Sequence, residues 1–305
     1  MNSRPLVSII TTTKNEEKNI ENCLRSMLTQ TYQNIEIIVV DNFSSDRTRD
    51  IALKYTENVF QKGPERSAQR NYGMIEMASG KYVMFVDADM ILSPSLIEAC
   101  VDFIESEDCP ALHIPEIVLG GNFFSQVRRF ERTFYDGTVI DGARFFDRDT
   151  FCNVGGFDES MSGPEDWDID KKIKQLGNIA LLPDLHSETA SNPFELFLQE
   201  RGVDPSAYGP SIFHNEAEFE LKSYLKKKGY YSTSFDTYIK KWGLKDPDIR
   251  KQFGLGYRFL GVFIENGKWR KLIRHPMLMT GMYLLRFLVG VMFLKRKREP
   301  EPRIT

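Results

Sequence analysis

Two acids one residue apart, Asp87 and Asp89, follow directly on the apolar run VMFV of residues 83–86. A carboxylate at the end of a buried strand is costly unless something pairs with it. In an extended chain residues i and i+2 point to the same face, so both carboxylates are able to face one ligand beyond the strand. Two hard oxygen donors suit Mg2+ or Mn2+, which take few protein carboxylates and complete their shell with water and substrate phosphates. The plainer reading is a solvated turn, with Ser93 or Pro94 opening the next helix. A second acidic pair, Glu165 and Asp166, follows Gly163 and Pro164. That order predicts a helix entry with both acids in the first turn, where the positive helix end favours the ionised carboxylate a proton acceptor needs. Acids in a first turn are also ordinary helix stabilisers.

The segments that must position these groups alternate between strand-like and helix-like. LVSIITT (residues 6–12), IEIIVVD (35–41), NVF (58–60) and the run ending in Asp87 predict four strands. Between them, Asn15 is the expected cap of a helix with Glu16 and Glu17 in its first turn and a stripe of Ile20, Leu24, Met27 and Leu28. Ser44 or Ser45 should open a second helix, and a third should run from about Ser67 to Ala78, closing at Gly80. This alternation predicts βαβ units on a mainly parallel sheet, an α/β fold. Ligands of such sheets bind outside the carboxyl ends of the strands, where this chain places Thr11 to Thr13, Asp41, and Asp87 with Asp89. Residues 111–182 mix strands with helices, so the sheet becomes mixed. Residues 183–213 are weakly periodic and predict a long loop or insertion. Helices dominate from 215 onward. The expected division is therefore a catalytic domain over 1–221 and a helical region over 222–305.

Composition excludes several classes. The four histidines show no metal-ligand spacing, so a zinc site is not expected. Four cysteines with no C-x-x-C pair, and no secretory signal, fit a reduced cytosolic setting. The first glycine is Gly63, so no Gly-rich phosphate loop follows the first strand and Rossmann dinucleotide and Walker sites are excluded. Any diphosphate must then be neutralised otherwise, and a cation on Asp87 and Asp89 would do it. Charge is divided unevenly: residues 222–305 hold 20 Lys+Arg against 6 Asp+Glu, and residues 1–221 hold 20 against 37. A basic tail on an acidic body points to an anionic partner. Nucleic acid is not favoured, since the tail has no reading motif.

Four stretches, VSIITTTKNEEKNIENCLRSMLTQTYQNIEIIVVDNFSSDRT, RSAQRNYGMIEMASGKYVMFVDADM, GARFFDRDTFCNVGGFDESMSGPEDWDID and HNEAEF, resemble the family 2 glycosyltransferases over roughly residues 5–220. The resemblance implies a GT-A fold, Rossmann-like, with a mixed, mainly parallel sheet flanked by helices and here a helical C-terminal extension. It implies a UDP- or GDP-sugar donor, a divalent metal (Mg2+ or Mn2+) and inversion at the anomeric carbon. Thr11 and Thr13 would line the nucleotide pocket, Asp41 would accept a hydrogen bond from the base, and Arg70, with Arg66 and Asn71, would sit against base or phosphates. Arg66 and Arg70 read equally well as a solvated helix face. Asp87 would face ribose and metal, and Asp89 would ligate the metal. Asp166 would be the general base, with Glu165 and Trp167 on the acceptor. His214 would complete the metal site with Glu216 as a weaker companion, and His186 competes for that place. QVRRF (residues 126–130) precedes the base and ends in Phe, so the processive motif Q-x-x-R-W is lacking and a single-transfer enzyme is expected.

Residues 276–294 are nearly apolar, close to spanning length, and KRKR follows at 295–298. A span would translocate those charges and carry Arg286 at mid-membrane. A helix or helical pair lying in the interface, with its cations on anionic headgroups, avoids both penalties; spanning and soluble packing are the other two readings. The expected acceptor is a hydroxyl of a lipid-linked glycan, polyprenyl phosphate or glycolipid at the cytoplasmic face of the cell membrane. A sugar nucleotidyltransferase or a silent nucleotide-sugar-binding membrane protein would carry similar acidic motifs.

Overall fold

Val7–Thr13 (β1) is buried along its whole length, as a central strand of a parallel sheet must be. The computed structural model describes residues 4–184, 192–216, 219–231 and 234–296, and in it β1 lies between Ile35–Asp41 (β2) and Tyr82–Asp87 (β4), parallel to both. Val59–Gln61 (β3) extends the sheet beyond β2. On the other side Ala143–Asp147 (β8) joins β4 antiparallel, followed by Ala111–His113 (β6) and Ile179–Leu181 (β9), giving the order β3-β2-β1-β4-β8-β6-β9. A small second sheet places Ile212–His214 (β10) between Met90–Leu92 (β5) and Glu116–Val118 (β7). The architecture is the mixed, mainly parallel α/β sheet that the strand–helix alternation predicts.

Helices Ile20–Leu28 and Leu96–Glu107 cover one face of the large sheet through Leu24, Met27, Ile97 and Val101. The turns from Arg66 to Met77 and the helix Glu165–Lys174 cover the other through Met74, Ile169 and Ile173. Two helix starts differ from expectation. The first helix begins at Ile20, and Asn15 sits in the left-handed region at φ 57°, its Oδ1 accepting from the Ser45 N–H at 2.8 Å. Asn15 thus ties the loop after β1 to the loop after β2 instead of capping a helix. The second helix starts at Thr48, because Ser44 is already bonded to Asp41.

The stretch expected as a long loop is partly ordered into the body. Helix Glu195–Glu200 and its flanks pack Phe194, Leu198 and Val203 on Ile91, Ile117 and Phe213. Helices this short bury too few residues to leave a period in the sequence. His186 lies outside the described residues.

The final helix, Pro276–Arg296, lies against the helix Phe123–Arg132. Gly281 makes the close approach possible: a Cβ there would meet Val127 at 2.7 Å. Met282 and Leu285 complete the contact with Val127, Phe130 and Phe134. Arg286 donates from Nε to Glu131 Oε1 at 2.8 Å with both side chains under a tenth exposed, so the charge that argued against spanning is neutralised inside the protein. Among the described residues no helix is long and apolar enough to cross a membrane. Glu131 also accepts from Arg128 at 3.0 Å. Glu131→Leu therefore strips a shared counter-ion from two guanidinium groups, and a loss of roughly 3–5 kcal/mol in stability is expected from chemical denaturation.

Candidate active site

Parallel pairing brings the carboxyl ends of three strands together: Thr13 stands opposite Asp41, and Thr12 opposite Asp87. On the β1–β2 side Asp41 is fully buried and accepts from the Ser44 N–H at 2.9 Å and from the Ser44 hydroxyl. Thr11 points into the core, its hydroxyl 3.9 Å from Cys23 Sγ. The Thr13 hydroxyl is buried with no hydrogen-bond partner among the described residues, an acceptor–donor left for something else.

Arg70 is the centre of the arrangement. It is 1% exposed, with its guanidinium 3.9 Å from the Phe85 ring centre. One Nη donates to Asp166 Oδ1 and the other to Asp87 Oδ1, each at 3.0 Å. A long basic side chain read as a possible solvated face is instead the bridge between the expected base and the strand-end acid. Arg66 donates to Glu165 Oε1 at 2.5 Å, and Glu165, 1% exposed, also accepts from the Gly163 N–H. Glu165 is thus turned inward as the anchor of Arg66. Asn71 clasps the loop at Phe157, accepting from its N–H at 2.8 Å and donating to its carbonyl at 2.9 Å.

The two acids of the D-x-D pair have different protein partners. The strand ends at Asp87, and residues 88 and 89 form a turn before β5 begins at Met90. Asp87 faces Arg70, and its Oδ2 lies 3.7 Å from Arg144 Nη1. Burial alone would raise the Asp87 pKa, but the arginines hold it far below the usual carboxylate range. Asp89 faces β10 instead, its Oδ2 3.2 Å from His214 Nε2. The far nitrogen of His214 is pinned on Glu116 Oε1 at 2.8 Å.

A histidine held on a carboxylate by one nitrogen presents the other in the manner of a metal ligand. Among the described residues no three His, Cys, Asp or Glu side chains converge at metal spacing. Asp89 and His214 do converge as a pair, one hard oxygen and one imidazole, which fits a metal whose remaining places are filled by phosphate and water. Glu216 stands further off, 4.0 Å from His214 Nδ1.

Glu116 has no counterpart in the sequence reading. It is 7% exposed and accepts from Arg144 at 3.0 Å and Arg132 at 3.2 Å besides His214. Burial pushes its carboxyl up, and the three cationic neighbours outweigh that and hold it well below the usual range. A lone acid on a three-residue strand gives no signal of this in one dimension. Arg144 was equally invisible, and its buried Nη1 has no hydrogen-bond partner among the described residues. Glu116→Gln keeps the shape but removes the charge that orders these cations. Mn2+ affinity in the presence of nucleoside diphosphate is expected to fall about 10–100-fold by calorimetry, with the melting temperature as a check on folding.

The helix Glu165–Lys174 carries the candidate base in its first turn. Asp166 is a third exposed, and Gly142 lets it settle: a Cβ there would sit 2.8 Å from Asp166 Cβ. Other acids of this helix fix its pose. Asp168 accepts from Lys241 and Trp242, both at 2.8 Å, and Asp170 from the Ala143 N–H at 3.0 Å and from His113 at 2.7 Å. Trp167 stacks on Phe235 at 6.0 Å and meets Phe253 edge-on. Its ring serves as the seat of the C-terminal helices.

A parallel sheet with an acid-lined carboxyl edge, a D-x-D pair and an acid-bearing helix facing it define a GT-A architecture. Residues 8–158 match the model of glycosyl transferase family 2. Among solved structures the chain is similar in fold to the mannosyltransferase PcManGT from Pyrobaculum calidifontis in complex with GDP-Man and Mn2+ (TM-score 0.55, 19% identity, 95% of this chain and 85% of that one). It is also similar to Staphylococcus aureus TarS 1-349 in complex with UDP-GlcNAc (TM-score 0.51, 18% identity, 97% and 93%). By sequence it is 36% identical over 114 residues to the uncharacterized glycosyltransferase YibD of Escherichia coli K12, covering 35% of this chain and 33% of that protein. It is 31% identical over 137 residues to glycosyltransferase GlyG of Streptococcus pneumoniae, covering 40% and 44%. The chain thus spans less than half the length of either of these relatives.

Proposed function

We propose that this protein transfers a sugar from a UDP- or GDP-sugar to an acceptor hydroxyl, with inversion at the anomeric carbon. The observation that carries this reading is the Asp166–Arg70–Asp87 bridge, which joins a half-open carboxylate on a helix N-terminus to the strand edge where a nucleotide would lie. The nucleoside lies across β1 and β2, with Asp41 at the base and the unpartnered Thr13 hydroxyl toward the nucleotide. The diphosphate lies toward Arg144, whose spare Nη1 hydrogen is the donor available there. Asp89 and His214 would hold a divalent metal, which supplies Lewis-acid stabilisation of the departing diphosphate. Arg70 fixes Oδ1 of Asp166 and leaves Oδ2 for the acceptor proton. The acceptor oxygen forms its bond to the anomeric carbon as the bond to the diphosphate breaks, Asp166 takes the proton, and a nucleoside diphosphate leaves.

Glu165 and Asn71 act through their neighbours, Glu165 by orienting Arg66 and Asn71 by holding the loop before the base helix. The acceptor class is a lipid-linked glycan, polyprenyl phosphate or glycolipid, met by a peripheral or monotopic enzyme at the cytoplasmic face of the membrane. The basic C-terminal region, packed on the helices Phe123–Arg132 and Glu165–Lys174, supports that reading. A product assay tests the chemistry. Nucleoside diphosphate released from a UDP- or GDP-sugar with Mn2+ supports it. Pyrophosphate released from a nucleoside triphosphate would make the protein a nucleotidyltransferase, and binding without turnover a silent nucleotide-sugar receptor.

A further inference from the structure

Once its inner face is used, the C-terminal helical region still presents apolar side chains to solvent. In the helix Pro276–Arg296 the outer stripe is Met277, Thr280, Leu284 and Phe287, at successive spacings of three, four and three, with Met277 75% and Phe287 62% exposed. In the preceding helix, Trp269–Arg274, Leu272 is buried while Trp269 and Ile273, one turn apart, are 44% and 69% exposed. Arg270, Lys271 and Arg274 are exposed between and beside them. From residue 249 to 291 the one acid is Glu265, and it is already held by Tyr257 at 2.5 Å and Lys251 at 3.5 Å.

An exposed set of Trp, Ile, Met, Leu and Phe rimmed by exposed cations matches one environment, the boundary between anionic headgroups and acyl chains. A second copy of this chain would bring two positive faces together, and nucleic acid offers nothing to aliphatic side chains at such exposure. We infer that Trp269, Ile273, Met277 and Phe287, with Arg270, Lys271 and Arg274, form the surface by which the protein docks on an anionic lipid bilayer. One side of Pro276–Arg296 faces the protein through Met282 and Leu285, and the membrane meets the opposite side. This rests on the membrane partner proposed above and fixes which residues touch it.

The test is co-sedimentation of full-length protein with phosphatidylcholine vesicles containing about a third phosphatidylglycerol. Arg270→Glu/Lys271→Glu/Arg274→Glu should weaken binding by at least about 100-fold, from roughly 1 kcal/mol per basic residue at such a surface. Ile273→Ser/Met277→Ser should weaken binding at unchanged lipid charge. Neither variant touches the sheet edge, so thermal shifts induced by nucleotide-sugar should match wild type and report folding. Unchanged pelleting of both variants, or wild-type binding to duplex DNA without binding to vesicles, overturns the inference. Loss of vesicle binding with product release intact supports it, and absence of turnover with vesicle binding intact would defeat the catalytic reading alone.

Discussion

Asp166→Asn should lower turnover about 10²–10⁴-fold while leaving donor affinity nearly unchanged, the range for removal of a positioned general base. The substitution is informative because Asn retains an oxygen for the Arg70 Nη hydrogen that now binds Oδ1 at 3.0 Å. The bridge to Asp87 and the seat over Gly142 therefore persist, and only the basicity at Oδ2 is lost. Steady-state rates of nucleoside diphosphate release and calorimetric donor affinity separate the two quantities. Near-normal turnover would remove Asp166 from the role. A large loss of donor affinity would instead mean that the Arg70 bridge serves the nucleotide and that its disturbance is what the rate reports.

The second large effect distinguishes two residues that look equivalent in the sequence. Asp89→Ala should abolish the Mn2+ dependence of nucleoside diphosphate binding with little loss of stability, since the Asp89 carboxylate pairs with His214 and is a quarter exposed. Asp87→Ala should do the opposite. It takes from the buried guanidinium groups of Arg70 and Arg144 a carboxylate that they share, and a destabilisation of roughly 1–3 kcal/mol is expected for leaving a buried donor short of an acceptor, since Arg70 keeps Asp166 and Arg144 keeps Glu116. Calorimetry with and without Mn2+, alongside denaturation curves for both variants, decides the matter. Unchanged Mn2+-dependent affinity in Asp89→Ala would refute the metal assignment, and equal stability of the two variants would refute the division of roles.

Much of this was legible in one dimension because it follows from local pattern. The β-branched run of β1, the repeated apolar runs and the intervening helical periods specify a mainly parallel sheet, and such a sheet has one ligand-binding edge. Thr13, Asp41, Asp87 and Asp166 are found on or facing that edge because each follows an apolar strand or opens a helix. Helix boundaries were less legible where tertiary bonds compete with local ones: Asn15 and Ser44 are good caps by type, yet both are taken up in joining the loops after β1 and β2.

What no local pattern carries is which buried charges meet. The sequence by itself determined that two acids follow the apolar run of β4 and that no glycine-rich loop follows β1 to take a diphosphate. It could not determine that the chain turns between them, because the i, i+2 rule holds only while the backbone stays extended. The turn at residues 88 and 89 sends Asp87 to Arg70 and Arg144 and Asp89 to His214, partners 17 to 125 residues away. Glu116, Arg144 and the Arg286–Glu131 pair were likewise decided only in three dimensions. Burying a charge is tolerable when a distant opposite charge arrives at hydrogen-bond range, and only the packing of helices on the sheet brings it there.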